Sequence, residues 1–380
     1  MKKYLLVASF LAFACTQIFA QKKPNVIVIL MDDLGYGDLS CYGASQYQTP
    51  NLDQMAKNGV RLTNFLSAQA VCSASRAGLL TGCYPNRIGI SGALFPNSPV
   101  GINKDEETIA EVLKANGYTT GIFGKWHLGD SERFLPTQHG FDEYVGIPYS
   151  NDMWPVHYDG TRNATNQRKD FPELPLIRGS KPERYIKTLD DQAQLINILT
   201  QESIKFIEKN KAKPFFVYMP HPMPHVPINA SAAFKGKSKQ GLYGDVMLEM
   251  DWSVGEILKT LKRLKIDNNT LVIFTSDNGP WQNFGNHAGS TGGLREAKGT
   301  TFEGGNRVPF IAQWKGHIQG GKINNGLASN IDLLPTICAI TNSKLPVKKI
   351  DGVNVFSLLK DEEKAEPRKE FLYYFSLFYI

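Results

Sequence analysis

Beyond residue 20, no stretch of this 380-residue chain approaches the roughly 20 consecutive apolar residues that a membrane-spanning helix needs. Nor is any basic run dense enough for a nucleic-acid surface. The chain carries 42 Lys and Arg against 36 Asp and Glu, a net charge of +6, and two of those charges sit at Lys2 and Lys3. Cysteine is scarce, with five residues, too few for a disulfide scaffold of this length. Internal repeats and low-complexity tracts are missing. With 42% hydrophobic residues, 21% charged residues and 34 glycines, the composition excludes a disordered chain and a coiled coil. A globular protein of one large domain, or of one large and one small, is what remains.

The first 20 residues read as a secretory signal. Lys2 and Lys3 form the positive start, Tyr4 to Ala14 the apolar stretch, and Ile18-Phe19-Ala20 a cleavage site before Gln21. The alternative is a lipoprotein anchored through Cys15, since Ala12-Phe13-Ala14-Cys15 loosely matches a lipobox but lacks the usual leucine at position 12. Export favours two disulfides among Cys41, Cys72, Cys83 and Cys338. The motif around Cys72 argues against pairing there, which leaves at least one of the others unpaired within the chain.

Strand and helix patterns alternate. Asn25–Leu30, Thr119–Phe123, Phe215–Met219 and Leu271–Thr275 are short apolar, largely β-branched or aromatic runs, the mark of strands covered on both faces. Thr108–Asn116, Gln192–Asn210, Asp245–Leu264 and Asp332–Ile340 have helical spacing. This order predicts an α/β fold with a largely parallel sheet between helices and ligands bound beyond the strands' carboxyl ends. Three long Gly-, Pro-, Asn- and His-rich segments, Leu34–Asn51, Leu128–Pro182 and Asn278–Pro309, read as functional loops. The aromatic run Phe371–Ile380 reads as a strand without partners, an aggregation-prone edge that suggests a truncated chain.

Asp32 and Asp33 follow the first strand, and Asp277 and Asn278 stand in the same relation to Leu271–Thr275. Adjacent carboxylates at a sheet mouth repel unless a cation neutralises them. The all-oxygen set suits Ca2+, or Mg2+, rather than Zn2+. One such pair alone would be turn chemistry; two at matching strand ends favour a metal. In Cys72-Ser73-Ala74-Ser75-Arg76, followed by Ala77-Gly78-Leu79-Leu80-Thr81-Gly82, Ser75 reads as a helix N-cap, so Cys72 and Arg76 lie where an anion is stabilised.

That stretch resembles the sulfatase signature, Cys-x-Pro/Ala-Ser-Arg followed by Leu-Thr-Gly, and matches it without departure. Gly124-Lys125-Trp126-His127-Leu128-Gly129 resembles the family's second signature, and Met223-Pro224-His225-Val226-Pro227 its histidine motif. Leu294–Gly305 resembles the segment bearing a second catalytic lysine, here Lys298. Gly146–Met153 is similar to the arylsulfatase A-like or N-acetylgalactosamine-6-sulfatase-like branch, and the likeness runs from about Pro24 to about Leu359.

The resemblance implies an alkaline-phosphatase-like α/β fold. Residues 1–20 are then the signal, 21–355 the catalytic domain, and 356–380 the start of a smaller, truncated C-terminal subdomain. It implies a sulfuric ester hydrolase whose Cys72 is oxidised by a maturation enzyme to Cα-formylglycine. One hydroxyl of the aldehyde hydrate attacks sulfur, and the other expels sulfate. Asp32, Asp33, Asp277, Asn278 and the modified Cys72 would hold Ca2+. Arg76 and Lys125 would neutralise the hydrate, and His127 would take the proton that triggers sulfate release. His225 and Lys298 would bind the sulfate and protonate the leaving oxygen, and Ser150 would hydrogen-bond within the pocket. A sulfated carbohydrate, on galactose or N-acetylgalactosamine, is the favoured substrate by analogy with the branch. The alternatives are a phosphonate or phosphate ester hydrolase of the same superfamily, or an inactive truncated sulfatase. A two-zinc phosphatase would need more ligands than seven histidines, few of them near the Asp motifs, can supply.

His221 in the same turn as His225 reads as structural. His287, Trp281, Asp152, Trp154 and Arg295 lie in the long loops, and the sequence does not say which of them face a substrate. Three Asn-x-Ser/Thr triplets, at Asn163, Asn229 and Asn268, match glycosylation acceptors by a pattern common by chance.

Overall fold

A computed structural model describes residues 23–162 and 167–374. The segment read as a secretory signal, Cys15, Asn163 and the end of the aromatic run lie outside them.

The strand β1, Asn25–Met31, has no exposed residue. Ile27, Ile29 and Met31 point into one core, and Val26, Val28 and Leu30 into the other. This two-faced burial is the reason the run is continuously apolar, since a one-sided strand would alternate. Each such side chain contributes about 1.5–3 kcal/mol by leaving water. The other strands are β2 (Val60–Leu62), β3 (Phe65–Leu66), β4 (Thr119–Lys125), β5 (Glu143–Ile147), β6 (Leu174–Arg178), β7 (Lys181–Ile186), β8 (Phe215–Pro220), β9 (Thr270–Ser276), β10 (Phe310–Gln313), β11 (Lys322–Asn324) and β12 (Ala328–Ser329). Ten of them form one sheet, in the order β11-β2-β10-β9-β1-β8-β4-β5-β6-β7; β3 and β12 pair separately. The five central strands, β9 to β5 in that order, are parallel, and β10, β6 and β7 add antiparallel flanks.

The helices are α1 (Pro50–Asn58), α2 (Cys72–Thr81), α3 (Ile109–Ala115), α4 (Leu189–Ala193), α5 (Leu195–Asn210), α6 (Leu242–Arg263), α7 (Glu303–Asn306), α8 (Leu333–Thr341) and α9 (Phe356–Leu359). On one face pack α1, α5 and α6. Tyr243, Val246, Met247, Met250, Val254, Ile257 and Leu261 of α6 follow a helical stripe into that core. The other face receives α2, α3, α8 and α9, with Val355, Leu358 and Leu359 in the same cluster as Leu79 and Ile337. Thr108 and Glu111 close a reciprocal capping box at the start of α3.

All four predicted strands and four predicted helices are present, with ends shifted by up to three residues. Three expectations about the fold fail: the open loop at Leu128–Pro182, a strand beginning at Phe371, and disulfide pairing among the cysteines. Leu128–Pro182 is not an open loop: it holds β5 and β6 and the start of β7, whose polar, exposed face hides the strand pattern. Residues 371–374 form no strand. Phe371 and Tyr374 pack their rings on Tyr84, at 5.7 and 5.4 Å, and the Leu372 N–H donates to the Tyr84 hydroxyl. Asn229 is buried and donates to the Leu189 carbonyl, so it offers no acceptor surface for a glycan. The four described cysteines are all unpaired. Among the described residues no helix is long and apolar enough to cross a membrane.

His221 is structural, as its sequence context suggests. It is buried, with Nε2 3.1 Å from the Ser253 hydroxyl, and burial pushes its pKa down to about 3. The unfolded chain therefore binds this proton first, near pH 6.5, and folding stability falls as pH drops from there toward 3. His221→Gln is expected to flatten the urea-unfolding midpoint between about pH 6.5 and pH 4, by up to about 1.4 kcal/mol per pH unit. An unchanged slope would mean that other groups set the acid limb.

Candidate active site

The parallel register between β1 and β9 sets Met31 opposite Ser276. The next residues on each strand, Asp32 and Asp33, then Asp277 and Asn278, meet beyond the carboxyl end of the sheet, all buried. The Asp33 N–H donates to Asp277 Oδ1 at 3.2 Å, and Asn278 Nδ2 donates to Asp33 Oδ1 at 2.7 Å. Asp33 itself has a φ of 63°, a left-handed turn that swings its carboxylate into the site.

Cys72 is the first residue of α2, and its Sγ lies 3.3 Å from Asp32 Oδ1. The helix starts earlier than the sequence suggests. Ser75 is inside it rather than capping it, and the Ser75 hydroxyl accepts from Asn330 Nδ2 at 2.8 Å. Val71 occupies the cap position with no side-chain bond, while the Ala74 N–H donates to the Gly92 carbonyl. A tertiary contact replaces the local cap, and Cys72 therefore sits closer to the positive end of the helix dipole. One turn on, Arg76 is fully buried. Its Nε lies 2.9 Å from Asp277 Oδ2, Nη2 3.4 Å from Asp32 Oδ2, and Nη1 donates to the Lys125 carbonyl.

Lys125 closes β4, where a Cβ at the preceding Gly124 would fall 1.9 Å from the Pro220 carbonyl oxygen of β8. Only glycine allows β4 and β8 this approach, which brings the Lys125 ammonium to 2.5 Å from Asp32 Oδ2 and 3.0 Å from the Ser150 hydroxyl. His127, at φ 64°, turns its ring toward the Leu94 carbonyl, which lies 2.9 Å from Nε2. A carbonyl only accepts, so Nε2 carries the proton and Nδ1, buried and without a partner among the described residues, keeps a bare lone pair. Burial, then the Lys125 and Arg76 charges, hold this imidazole far below its usual pKa. His225, from the turn after β8, directs Nδ1 to the Val226 carbonyl and Nε2 to within 3.5 Å of Asp33 Oδ2. Burial and then Lys298 lower its pKa. The Lys298 N–H donates to the Pro280 carbonyl, and its ammonium reaches both Asp33 oxygens, at 2.7 and 2.9 Å, and Cys72 Sγ at 3.2 Å.

Every sequence-predicted site residue thus falls in one buried cluster. Three carboxylates face three cations. Burial works against Asp32, but the Lys125 and Arg76 charges outweigh it and hold Asp32 well below the carboxylate range. Burial and the Asp32 charge lift Asp277 to about 7. For Cys72, burial and the same aspartate push the thiol well above its usual pKa, so an unmodified Cys72 is a neutral, inert thiol. Asp32, Asp33, Cys72 and His225 present ligand atoms within 4.8 Å of one another. Asp277 is set slightly apart, with Arg76 on one oxygen and the Asp33 amide on the other. Asn278 Oδ1 is buried without a hydrogen-bond partner among the described residues, an acceptor left for a cation. Hard oxygen donors with an orphaned amide oxygen fit Ca2+ or Mg2+.

Of the loop residues, Trp154 is fully buried in the core, and Arg295 lies over Phe302 at 4.0 Å. Trp281 and Asp152 do border the cluster. Trp281 stands 4.8 Å from Lys298 Nζ and 5.7 Å from the His225 ring. Sequence reasoning missed Arg168, which pairs with Asp152, because nothing in a 16-residue separation across an irregular loop signals a contact.

Comparison with known proteins gives the family of the whole chain. A family model described as Sulfatase matches residues 24–343. The chain is 41% identical to bovine arylsulfatase A over 367 residues, covering 93% of this chain and 71% of that protein. It is 39% identical to mouse N-acetylgalactosamine-6-sulfatase over 385 residues, covering 96% and 72%. Among solved structures, the PsFucS1 sulfatase from Pseudoalteromonas sp. superposes with a TM-score of 0.84 at 33% identity, covering 91% of this chain and 74% of that one.

Proposed function

The chain belongs to the sulfatase family and is a sulfuric ester hydrolase of the alkaline-phosphatase-like fold, and from that premise we propose that it cleaves sulfated carbohydrates through a Cα-formylglycine made from Cys72, with a bound Ca2+. The observation that carries this reading is the setting of Cys72: a protonated thiol at a helix N-terminus, 3.3 Å from Asp32 and 3.2 Å from Lys298. As a thiol it has no chemistry there. As an aldehyde hydrate it supplies one hydroxyl to attack sulfur and a second whose ionisation releases sulfate.

Asp32, Asp33, Asp277 and Asn278 would hold the cation, with the modified Cys72 as a further ligand. When bound, Ca2+ polarises a sulfate oxygen and favours ionisation of the attacking hydroxyl. Three carboxylates and the three cations Arg76, Lys125 and Lys298 balance, so a dication makes the pocket positive and ready for an anionic ester. Arg76 and Lys125 stabilise charge on the hydrate, with Ser150 orienting the Lys125 ammonium. The bare Nδ1 of neutral His127 is the base that takes the second hydroxyl's proton. Lys298 grips the sulfate: burial opposes its charge, but Asp33 more than offsets this and the ammonium stays protonated. An arriving sulfate brings a negative charge to His225 Nε2, favours its protonation, and makes it the acid for the leaving oxygen. The catalytic unit lies within residues 21–355, and Lys2, Lys3 and the apolar run after them support export before action.

The test is turnover of aryl sulfate, aryl phosphate and aryl phosphonate by protein purified from its native host, before and after EGTA. Sulfate ester hydrolysis should dominate, fall by at least ~10²-fold on chelation, and return with Ca2+. Preference for phosphonate, or activity indifferent to chelation, would overturn the reading.

A further inference from the structure

A strip of aromatic and charged side chains extends from Lys298 and His225 to partly exposed rings. Trp281 leans on Lys298 and His225, and Phe284 meets it edge-on, with centroids 4.8 Å apart. Tyr158 lies 4.4 Å from Phe284, and the Arg168 guanidinium 4.1 Å above Tyr158. Arg168 pairs with Asp152 at 3.6 Å and also binds its carbonyl. Asp152 is 8% exposed, follows Ser150 by two residues, and its Oδ1 has no hydrogen-bond partner among the described residues. Trp281, Phe284 and Tyr158 are only partly buried, and Pro280, which precedes Trp281, is tied by its carbonyl to the Lys298 backbone.

We propose that this strip is the sugar subsite: the ring that carries the sulfate lies its hydrocarbon face on Trp281, and Asp152 accepts a hydrogen bond from one of its hydroxyls. Whatever the ester oxygen is attached to must emerge between His225 and Lys298, and the side chain standing over both is Trp281. The negative π-face of an indole attracts polarised C–H bonds, and a pyranose with an axial hydroxyl on one face offers a continuous patch of them on the other. A carboxylate with one oxygen held by Arg168 and the Tyr158 hydroxyl, and the other within reach of no donor among the described residues but Ser150, is a preorganised hydroxyl acceptor. A lipid tail or a simple aryl group would use the aromatic wall but would leave Asp152 buried and half-satisfied. The proposal rests on the sulfatase reading and deepens it.

Kinetics with the positional isomers of galactose monosulfate test it, with inorganic sulfate as a ringless competitor. Trp281→Ala should raise KM for the cleaved isomer roughly tenfold with little change in kcat, and leave inhibition by inorganic sulfate unchanged. Trp281→Phe should recover most of the loss. Asp152→Asn should raise KM for the sugar sulfate but not for an aryl sulfate. If Trp281→Ala weakens inorganic sulfate as much as sugar sulfate, Trp281 merely props Lys298, and the subsite is refuted. An unchanged KM refutes it as well. Wild-type protein that cleaves aryl sulfates but none of the sugar isomers overturns the sugar subsite and leaves the sulfatase reading standing. Protein that cleaves no sulfate ester at all defeats the sulfatase reading itself.

Discussion

Cys72→Ala abolishes sulfate ester hydrolysis, with a fall of roughly 10⁵-fold or more, the scale on which enzymes lose activity when their nucleophile is removed. No neighbouring group can substitute. Arg76, Lys125 and Lys298 are cations engaged with carboxylates, and Asp32 and Asp33 are occupied by them. The variant should fold normally, because only the buried Sγ is lost and its polar neighbours retain one another. Hydrazide labelling and the mass of the tryptic peptide Leu62–Arg76 give the independent readout. Wild-type protein should show the change from CH2SH to CHO at position 72, and the variant should show neither aldehyde nor labelling. Retained activity in the variant would place the nucleophile elsewhere.

Arg76→Met acts on stability as well as catalysis. The guanidinium is fully buried and faces Asp277 at 2.9 Å and Asp32 at 3.4 Å. Removing one partner from a buried ion network leaves carboxylates uncompensated and costs about 3–5 kcal/mol. Melting should drop by roughly 5–10 °C. Arg76→Lys should recover little, since a point charge cannot serve two aspartates and the Lys125 carbonyl at once. Calcium should restore part of the lost melting temperature by supplying positive charge beside Asp32. A loss insensitive to added calcium would mean that the cation does not sit on these carboxylates.

Much of this site is legible in the sequence because a parallel sheet turns strand ends into neighbours. Asp32 and Asp277 lie far apart in the chain, yet each stands one residue beyond an apolar run, and adjacent parallel strands must bring such positions together. The start of α2 is less legible. A serine at position 75 carries a strong local capping signal, but Asn330 claims its hydroxyl and the Gly92 carbonyl serves the helix end instead. The β5–β7 region hides for a related reason: Lys181–Tyr185 is exposed and polar, so period-two alternation never shows. The aromatic strip beside Lys298 is assembled from loops near positions 158, 168 and 281, and no local pattern announces that they meet.

The strand order carries a consequence for how the protein is made. The first strand to leave the ribosome, β1, pairs with β8 and β9, whose residues lie about 190 to 245 positions later in the chain. It must wait for about 190 further residues to be made before finding the first of these partners, and such non-local pairing folds slowly. Through that interval α2 has no sheet to pack against, and Cys72, only 2% exposed once folded, is open to solvent. If Cys72 is oxidised as proposed, an enzyme acting on this side chain would have its access before β8 and β9 join the sheet, not after.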